Sequence, residues 1–230
     1  KKKREKINFC LVGEPTNPNK LGEMIKIGRR GSMTGKLTIF GLQGHVAYPD
    51  RANNPSTIII EILRELKNIK FDKGTYNFQP TNLEVTKINI NNTADNVIPA
   101  TAEATFNIRF NNKHSSKSIK KKLNKIFNKI NKKFKSKFKI EYRVSGEAFL
   151  TKPNKTTFMI QNIVKKITKI NPKLSTTGGT SDLRFIKEIS PGLEFGLVGK
   201  TMHKVDEAVS LKDLKKLTKI YFNILDNYFK

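Results

Sequence analysis

The feature that most limits the possible folds is a run of six periodic segments between Thr34 and Gly146. Lys36 to Gln43 reads as a strand. Pro55, well placed in a first helical turn, opens a helix through Ile69 with Ile58, Ile62, Leu66 and Ile69 on one face. Leu83 to Ile90 alternates as Leu83 and Val85, slips phase, and resumes as Ile88 and Ile90. Ala102, Ala104, Phe106, Ile108 and Phe110 alternate without a slip. Ser115 or Ser116 caps a helix to about Phe134, with Ile119, Leu123, Ile126, Phe127, Ile130 and Phe134 as its apolar stripe. Phe138, Ile140, Tyr142 and Val144 alternate again. The order β-α-β-β-α-β predicts a split-βαβ, ferredoxin-like arrangement, an antiparallel sheet with both helices on one face.

The flanks follow another pattern. Ile7 to Val12 is a short, nearly continuous apolar run that suits a strand buried on both faces. It ends at Gly13, and Glu14 follows. Ligands gather beyond the carboxyl ends of strands in open α/β sheets, although from this segment alone a plain loop carboxylate is the better reading of Glu14. After Gly146, Asn154 or Thr156 starts a helix through Ile170, which Pro172 terminates. Thr176-Thr177-Gly178-Gly179-Thr180-Ser181-Asp182 is a turn leading into a short helix through Lys187. Leu193 to Val198 is a strand, and Ser210 caps a last helix with Leu214, Leu217, Ile220, Tyr221 and Leu225 inward. We therefore expect an α/β domain from residues 1–30 and 146–230, with an α+β domain, residues 31–145, inserted in it. Such insertions are tolerated where their two ends lie close together.

Composition excludes more than it identifies. No apolar run approaches the roughly 18 residues of a membrane span. The lone cysteine, Cys10, sits in an apolar run and reads as a buried thiol, which fits a reducing, cytoplasmic setting. The chain opens on Lys1-Lys2-Lys3-Arg4 without an initiator Met, and the apolar run that follows is too short for a signal peptide, so the start reads as a cut. A net charge of +26 points first to nucleic acid or anionic membrane. Lysine greatly outnumbers arginine, however, and Ile and Asn are abundant, the joint bias of AT-rich coding. The lysines also alternate with apolar helix positions, as a solvated basic face would.

Three histidines are present. His114 precedes a helix among lysines and reads as a surface residue. His45 and His203 lie in loops after strands, but neither spacing is a metal signature. Arg109 sits mid-strand beside apolar neighbours, an expensive place for a charge without a partner.

The order of the loop motifs says more than any one of them. Gly13-Glu14-Pro15-Thr16, Gly28-Arg29-Arg30-Gly31-Ser32, Gln43-Gly44-His45-Val46-Ala47-Tyr48-Pro49 and Asn96-Val97-Ile98-Pro99 come first. Asn107-Ile108-Arg109-Phe110, Thr177-Gly178-Gly179-Thr180-Ser181-Asp182, Glu194-Phe195-Gly196 and His203-Lys204-Val205-Asp206-Glu207 follow. In that order they resemble the bacterial succinyl-diaminopimelate desuccinylases of the M20 metallopeptidases, over nearly the whole chain but only the C-terminal portion of the family sequence. The resemblance implies a two-zinc α/β catalytic domain, with cobalt as an alternative metal, and an inserted domain that forms a homodimer. It implies that Glu14 and His203 are ligands to the two zincs, and that His45 reaches into the partner's active site to stabilise the oxyanion, with Tyr48 and Asn96 on the same surface. Arg29, Arg109, Gly179 and Thr180 would bind the carboxylates of a small dicarboxylate substrate, N-succinyl-LL-2,6-diaminopimelate.

The chain departs from the family in three respects. The N-terminal half, with the remaining zinc ligands and the general base, is missing, so this chain alone is expected to be inactive and to bind zinc poorly if at all. Gly199 stands where an Asn is expected, and Leu183 replaces a Gly. The alternative is a non-catalytic dimerising remnant, or a basic nucleic-acid-binding module using the lysines of residues 117–137. Against the latter, the two aromatic residues there, Phe127 and Phe134, fall on the apolar stripe and are not spaced among the lysines as a stacking platform.

Overall fold

The computed structural model describes residues 6–179 and 181–230. It divides the chain into two compact units, Gly31–Ala148 and the pair of segments Lys1–Arg30 and Phe149–Lys230. In chain order, strands β1 (Cys10–Val12), β2 (Met24–Lys26) and β3 (Gly28–Arg29) precede the continuous unit. That unit contains β4 (Gly31–Phe40), β5 (Gly44–His45), α1 (Pro55–Asn68), β6 (Asn82–Asn89), β7 (Val97–Ile98), β8 (Thr101–Phe110), α2 (Ser116–Phe134) and β9 (Lys137–Gly146). Then come β10 (Phe149–Leu150), α3 (Lys155–Thr168), β11 (Lys173–Ser175), α4 (Leu183–Ile186), β12 (Gly192–Glu194) and α5 (Leu211–Tyr228).

The continuous unit is an antiparallel sheet in the order β6-β8-β4-β9. Its buried residues alternate along β8 as Ala102, Ala104, Phe106, Ile108 and Phe110, and these meet Ile58, Ile59, Ile62 and Leu66 of α1 and Ile119, Leu123, Phe127 and Ile130 of α2 in one core. Gly31 and Gly35 lie opposite Phe110 and Phe106, and a Cβ at either glycine would fall 2.3 Å from the facing ring. The two phenylalanines therefore lie across a strand with no side chain in their way. The phase slip read in the third segment is an irregularity between Val85 and Lys87. Asn54 caps α1, and Ser115 caps α2 in a reciprocal box with Ser118. Two short strands, β5 and β7, pair antiparallel beside the main sheet.

The discontinuous unit has a sheet in the order β1-β12-β2-β11, parallel except for β12 against β2. Helices α3 and α5 pack on each other, and Ile160, Val164, Leu217, Ile220 and Ile224 join Ile25, Ile27, Leu193 and Phe195 in the second core. Several expectations need correction here. β1 is an edge strand, so its residues, Cys10 included, are half-buried rather than enclosed on both faces. Burial raises the pKa of the Cys10 thiol. Leu214 and Leu225 of α5 are exposed, and the buried stripe is Leu217, Ile220 and Ile224. The strand expected at Leu193–Val198 ends at Glu194.

Candidate active-site segments

Glu14 is half-buried in the segment that leaves β1. The next residues are fastened to the chain that leaves β12. Thr16 Oγ1 accepts from the Gly196 N–H at 3.2 Å, and the buried Asn17 amide donates to the Gly196 carbonyl at 2.7 Å. Asn17 also accepts from the Gly22 and Met24 N–H groups, and its backbone bridges Val198. A side chain at Gly196 would meet the Glu14 carbonyl oxygen at 2.4 Å, so this close approach requires glycine. The same strip continues into the His203 turn, where a Cβ at Gly199 would lie 3.5 Å from Pro15 Cβ. His203 is exposed, adopts φ 63°, and its N–H donates to Glu207 Oε2 at 3.1 Å. Glu14 and His203 thus belong to two adjoining segments at the exits of neighbouring strands. Carboxylate and imidazole suit zinc, but among the described residues no group of three or more His, Cys, Asp or Glu side chains could hold a metal. Two donors do not complete a metal site.

Arg29 is buried, and its donors are engaged inside the protein. Nε donates to Glu194 Oε2 at 2.9 Å, Nη2 pairs with the same oxygen, and Nη1 donates to the Thr177 carbonyl at 2.9 Å. Glu194, fully buried, also accepts from the Ser181 hydroxyl through Oε1. Lys26 lies beside this group, its ammonium 2.7 Å from Thr177 Oγ1. Burial, together with the Arg29 charge, brings the Lys26 pKa down to about 8, against a smaller opposing pull from Glu194. Gly178 and Gly179 are exposed between Thr177 and Ser181, whereas Thr180 lies outside the described residues. Leu183, the first residue of α4, is buried in the core and lies within 2.4 Å of where a Gly192 Cβ would stand.

His45, Tyr48 and Asn96 come together in the continuous unit. His45 pairs with Val97 across β5 and β7, Val46 N–H donates to the Asn96 carbonyl at 3.1 Å, and the His45 and Tyr48 rings are 5.9 Å apart. His45 Nδ1 accepts from the Ala47 N–H at 3.1 Å. In the neutral ring the proton therefore sits on Nε2, on an exposed side chain. Arg109 points to the sheet face away from Ile108 and Phe110 and is half-buried opposite Ser32 and Asn82, so its apolar sequence neighbours are not its surroundings. His114 is not a surface residue either. Its ring packs edge-on to Phe71, and Nε2 lies 3.1 Å from Asp72, whose carboxylate also takes the Gly74 and Thr81 N–H groups and the Asn111 amide.

Sequence reasoning missed Lys26, Ser181 and Glu194 as interacting groups. The signal was present, because Met24-Ile25-Lys26-Ile27 and Leu193-Glu194-Phe195 each put one charge inside an apolar strand. The partner of Glu194 is Arg29, 165 residues away, and that link is invisible in local pattern.

Residues 27–135 match the M20 peptidase dimerisation domain. Among solved structures, the chain aligns with aminopeptidase PepT from Bacillus cereus at a TM-score of 0.79 and 16% identity, covering 96% of this chain and 57% of that one. A tripeptidase from Staphylococcus aureus aligns at 0.76 and 17%, with the same coverage. At such identity these structures share the fold alone. The class is thus a mixed α/β chain bearing a peptidase dimerisation domain. Over 229 residues, the chain is 80% identical to the succinyl-diaminopimelate desuccinylase of Pelagibacter ubique, and 46% identical to that of Methylobacterium radiotolerans. Its similarity to these desuccinylases runs the length of this chain, which spans about 60% of the length of these relatives. Among the described residues, no helix is long and apolar enough to cross a membrane.

Proposed function

We propose that the chain is the C-terminal portion of a zinc-dependent amide hydrolase that converts N-succinyl-LL-2,6-diaminopimelate and water to succinate and LL-diaminopimelate, in diaminopimelate and lysine biosynthesis in the cytoplasm. The observation that carries this reading is the 80% identity over the whole chain. In the reaction water adds to the succinyl carbonyl carbon, the C–N bond breaks, and the leaving amine takes up a proton. A metal pair, when bound, polarises that carbonyl and activates the water. In this reading Glu14 and His203 contribute one ligand to each metal, and the remaining ligands come from polypeptide beyond this chain. The chain by itself would therefore be inactive.

His45 supplies the oxyanion donor, from one protomer of a homodimer to its partner. The Ala47 N–H occupies Nδ1, which leaves Nε2–H as the outward donor. Tyr48 and Asn96 share its surface. Arg29, Arg109, Gly179 and Thr180 serve the substrate carboxylates, Arg29 with most of its fork already committed to Glu194. The strand order of the continuous unit supports the ferredoxin-like reading of the dimerisation domain.

The test is hydrolysis by a chain extended to the length of its relatives. His45→Ala should lower kcat by about 10²–10³-fold with zinc content unchanged, and equal loss of both would make His45 a ligand or a structural residue. Mixing His45→Ala protomers with Glu14→Ala protomers should restore activity, because one site of each mixed dimer keeps both its ligand and its partner's histidine. No recovery from demonstrated heterodimers would rule out the role in trans.

A further inference from the structure

Glu194 has no exposure to solvent, and no role in the reaction has been given to it. A buried carboxylate is costly unless paired, and for stability alone an apolar pair of similar volume serves as well as a buried ion pair. What an apolar pair cannot do is hold separate segments by directed bonds. Glu194 does so with each of its oxygens. Oε2 takes Nε–H and Nη2–H of Arg29, and Oε1 takes the Ser181 hydroxyl. Arg29 in turn donates to the Thr177 carbonyl, and Lys26 donates to the Thr177 hydroxyl. The loop is therefore tied at Thr177 and at Ser181, and both ties lead to one carboxylate.

Two glycines within the loop differ in a telling way. Gly178 has φ +107°, and Arg29 Nη1 lies 2.2 Å from where its Cβ would be. Its lack of a side chain is demanded by the clamp itself. Among the described residues, nothing lies within 4 Å of a Cβ position at Gly179, so no contact with them requires glycine there. The loop thus has one glycine facing the clamp and one facing open space.

We infer that Glu194 is a positioning residue, which fixes Thr177 and Gly178 through Arg29 and holds Ser181 directly, and so presents the exposed Gly179 to a carboxylate of the substrate. This rests on the hydrolase reading for the identity of the ligand, but not for the clamp.

Two measurements separate the parts. In the 230-residue chain, Glu194→Gln keeps the volume of the side chain and removes its charge. Amide hydrogen exchange in a peptide spanning 177–182 should rise about tenfold or more, with residues 31–148 unchanged. Ser181→Ala, which leaves Arg29 paired, should give a smaller rise in the same peptide and serves if Glu194→Gln fails to fold. Unchanged exchange in the folded variants would overturn the inference. In the chain extended to the length of its relatives, Glu194→Gln should raise KM about tenfold and change kcat by less than about twofold. In an Arg29→Met background the same substitution should add nothing further, since both act through one unit. Multiplicative effects on KM, or an equal loss in kcat, would also overturn it. If the unsubstituted extended chain does not cleave N-succinyl-diaminopimelate while exchange still responds to Glu194→Gln, the hydrolase reading fails and the clamp stands.

Discussion

The two units reach order by opposite routes. The unit of residues 31–148 is continuous, its three longest strands are ten residues each, and its single core draws on alternating positions that sit close in sequence. The other unit joins segments from both ends of the chain, and the strands of its main sheet are three residues each. A strand that short carries almost no period. What fixes it is a small number of buried polar groups, namely Thr16, Asn17, Arg29 and Glu194, bonded across 165 to 180 positions of sequence. The difference teaches that apolar periodicity marks out the first unit, whereas in the second long-range polar bonds fix how short segments meet over their own apolar core, and the segments carrying Glu14, Arg29, Gly179 and His203 all belong to the second.

The largest effect expected on this contrast is in the continuous core. Phe127 is fully buried and packs against Phe106 and Phe138. Phe127→Ala should cost about 3–5 kcal/mol in chemical denaturation, and exchange protection should fall across 31–148. A loss confined to α2 would mean that this core is not one cooperative body.

Next is a polar knot inside the apolar unit. Burial alone would raise the Asp72 pKa, but bonds from the Thr81 hydroxyl, the Gly74 N–H, the Asn111 amide and the Thr81 N–H outweigh burial and bring it down to about 2. A carboxylate lowered in the folded state stabilises fully above its unfolded value, about 3.9, and that stability is lost as pH falls through about 2. The stability difference between the native chain and Asp72→Asn should therefore shrink by on the order of 2 kcal/mol between pH 6 and pH 2. A difference independent of pH would remove the knot from the account of this unit.

The smallest effects sharpen the contrast in the second unit. Gly178→Ala meets both a positive φ and the Arg29 fork, and should destabilise by about 1–2 kcal/mol. Gly179→Ala, with open space around it, should stay within about 0.5 kcal/mol. Melting temperatures of the two variants give the comparison directly, and equal losses would mean that the loop is not clamped from one side.

The same contrast decides what could be read from sequence. Helices α1, α2 and α3 and strand β8 were legible because their stripes are long and their caps are local. β2 and β11 were not, because three residues beside a turn look like any apolar triplet. Leu214 and Leu225 were drawn inward by hydrophobicity, although the buried side of α5 runs through Ile224. For the site, motif order carried the loop residues, whereas the environments of Arg29 and His114 needed Glu194 and Asp72, distant carboxylates that no spacing rule connects to them.

The bond from Asn17 to the Gly196 carbonyl spans 179 residues. On a ribosome that adds roughly 5–20 residues each second, Asn17 is made about 9–36 seconds before its acceptor exists. Through that interval Cys10, Leu11 and Val12 have no β12 to pair with, while every residue of 31–148 has already been made before Gly192. β1 thus waits for its β12 partner for longer than most small domains take to fold.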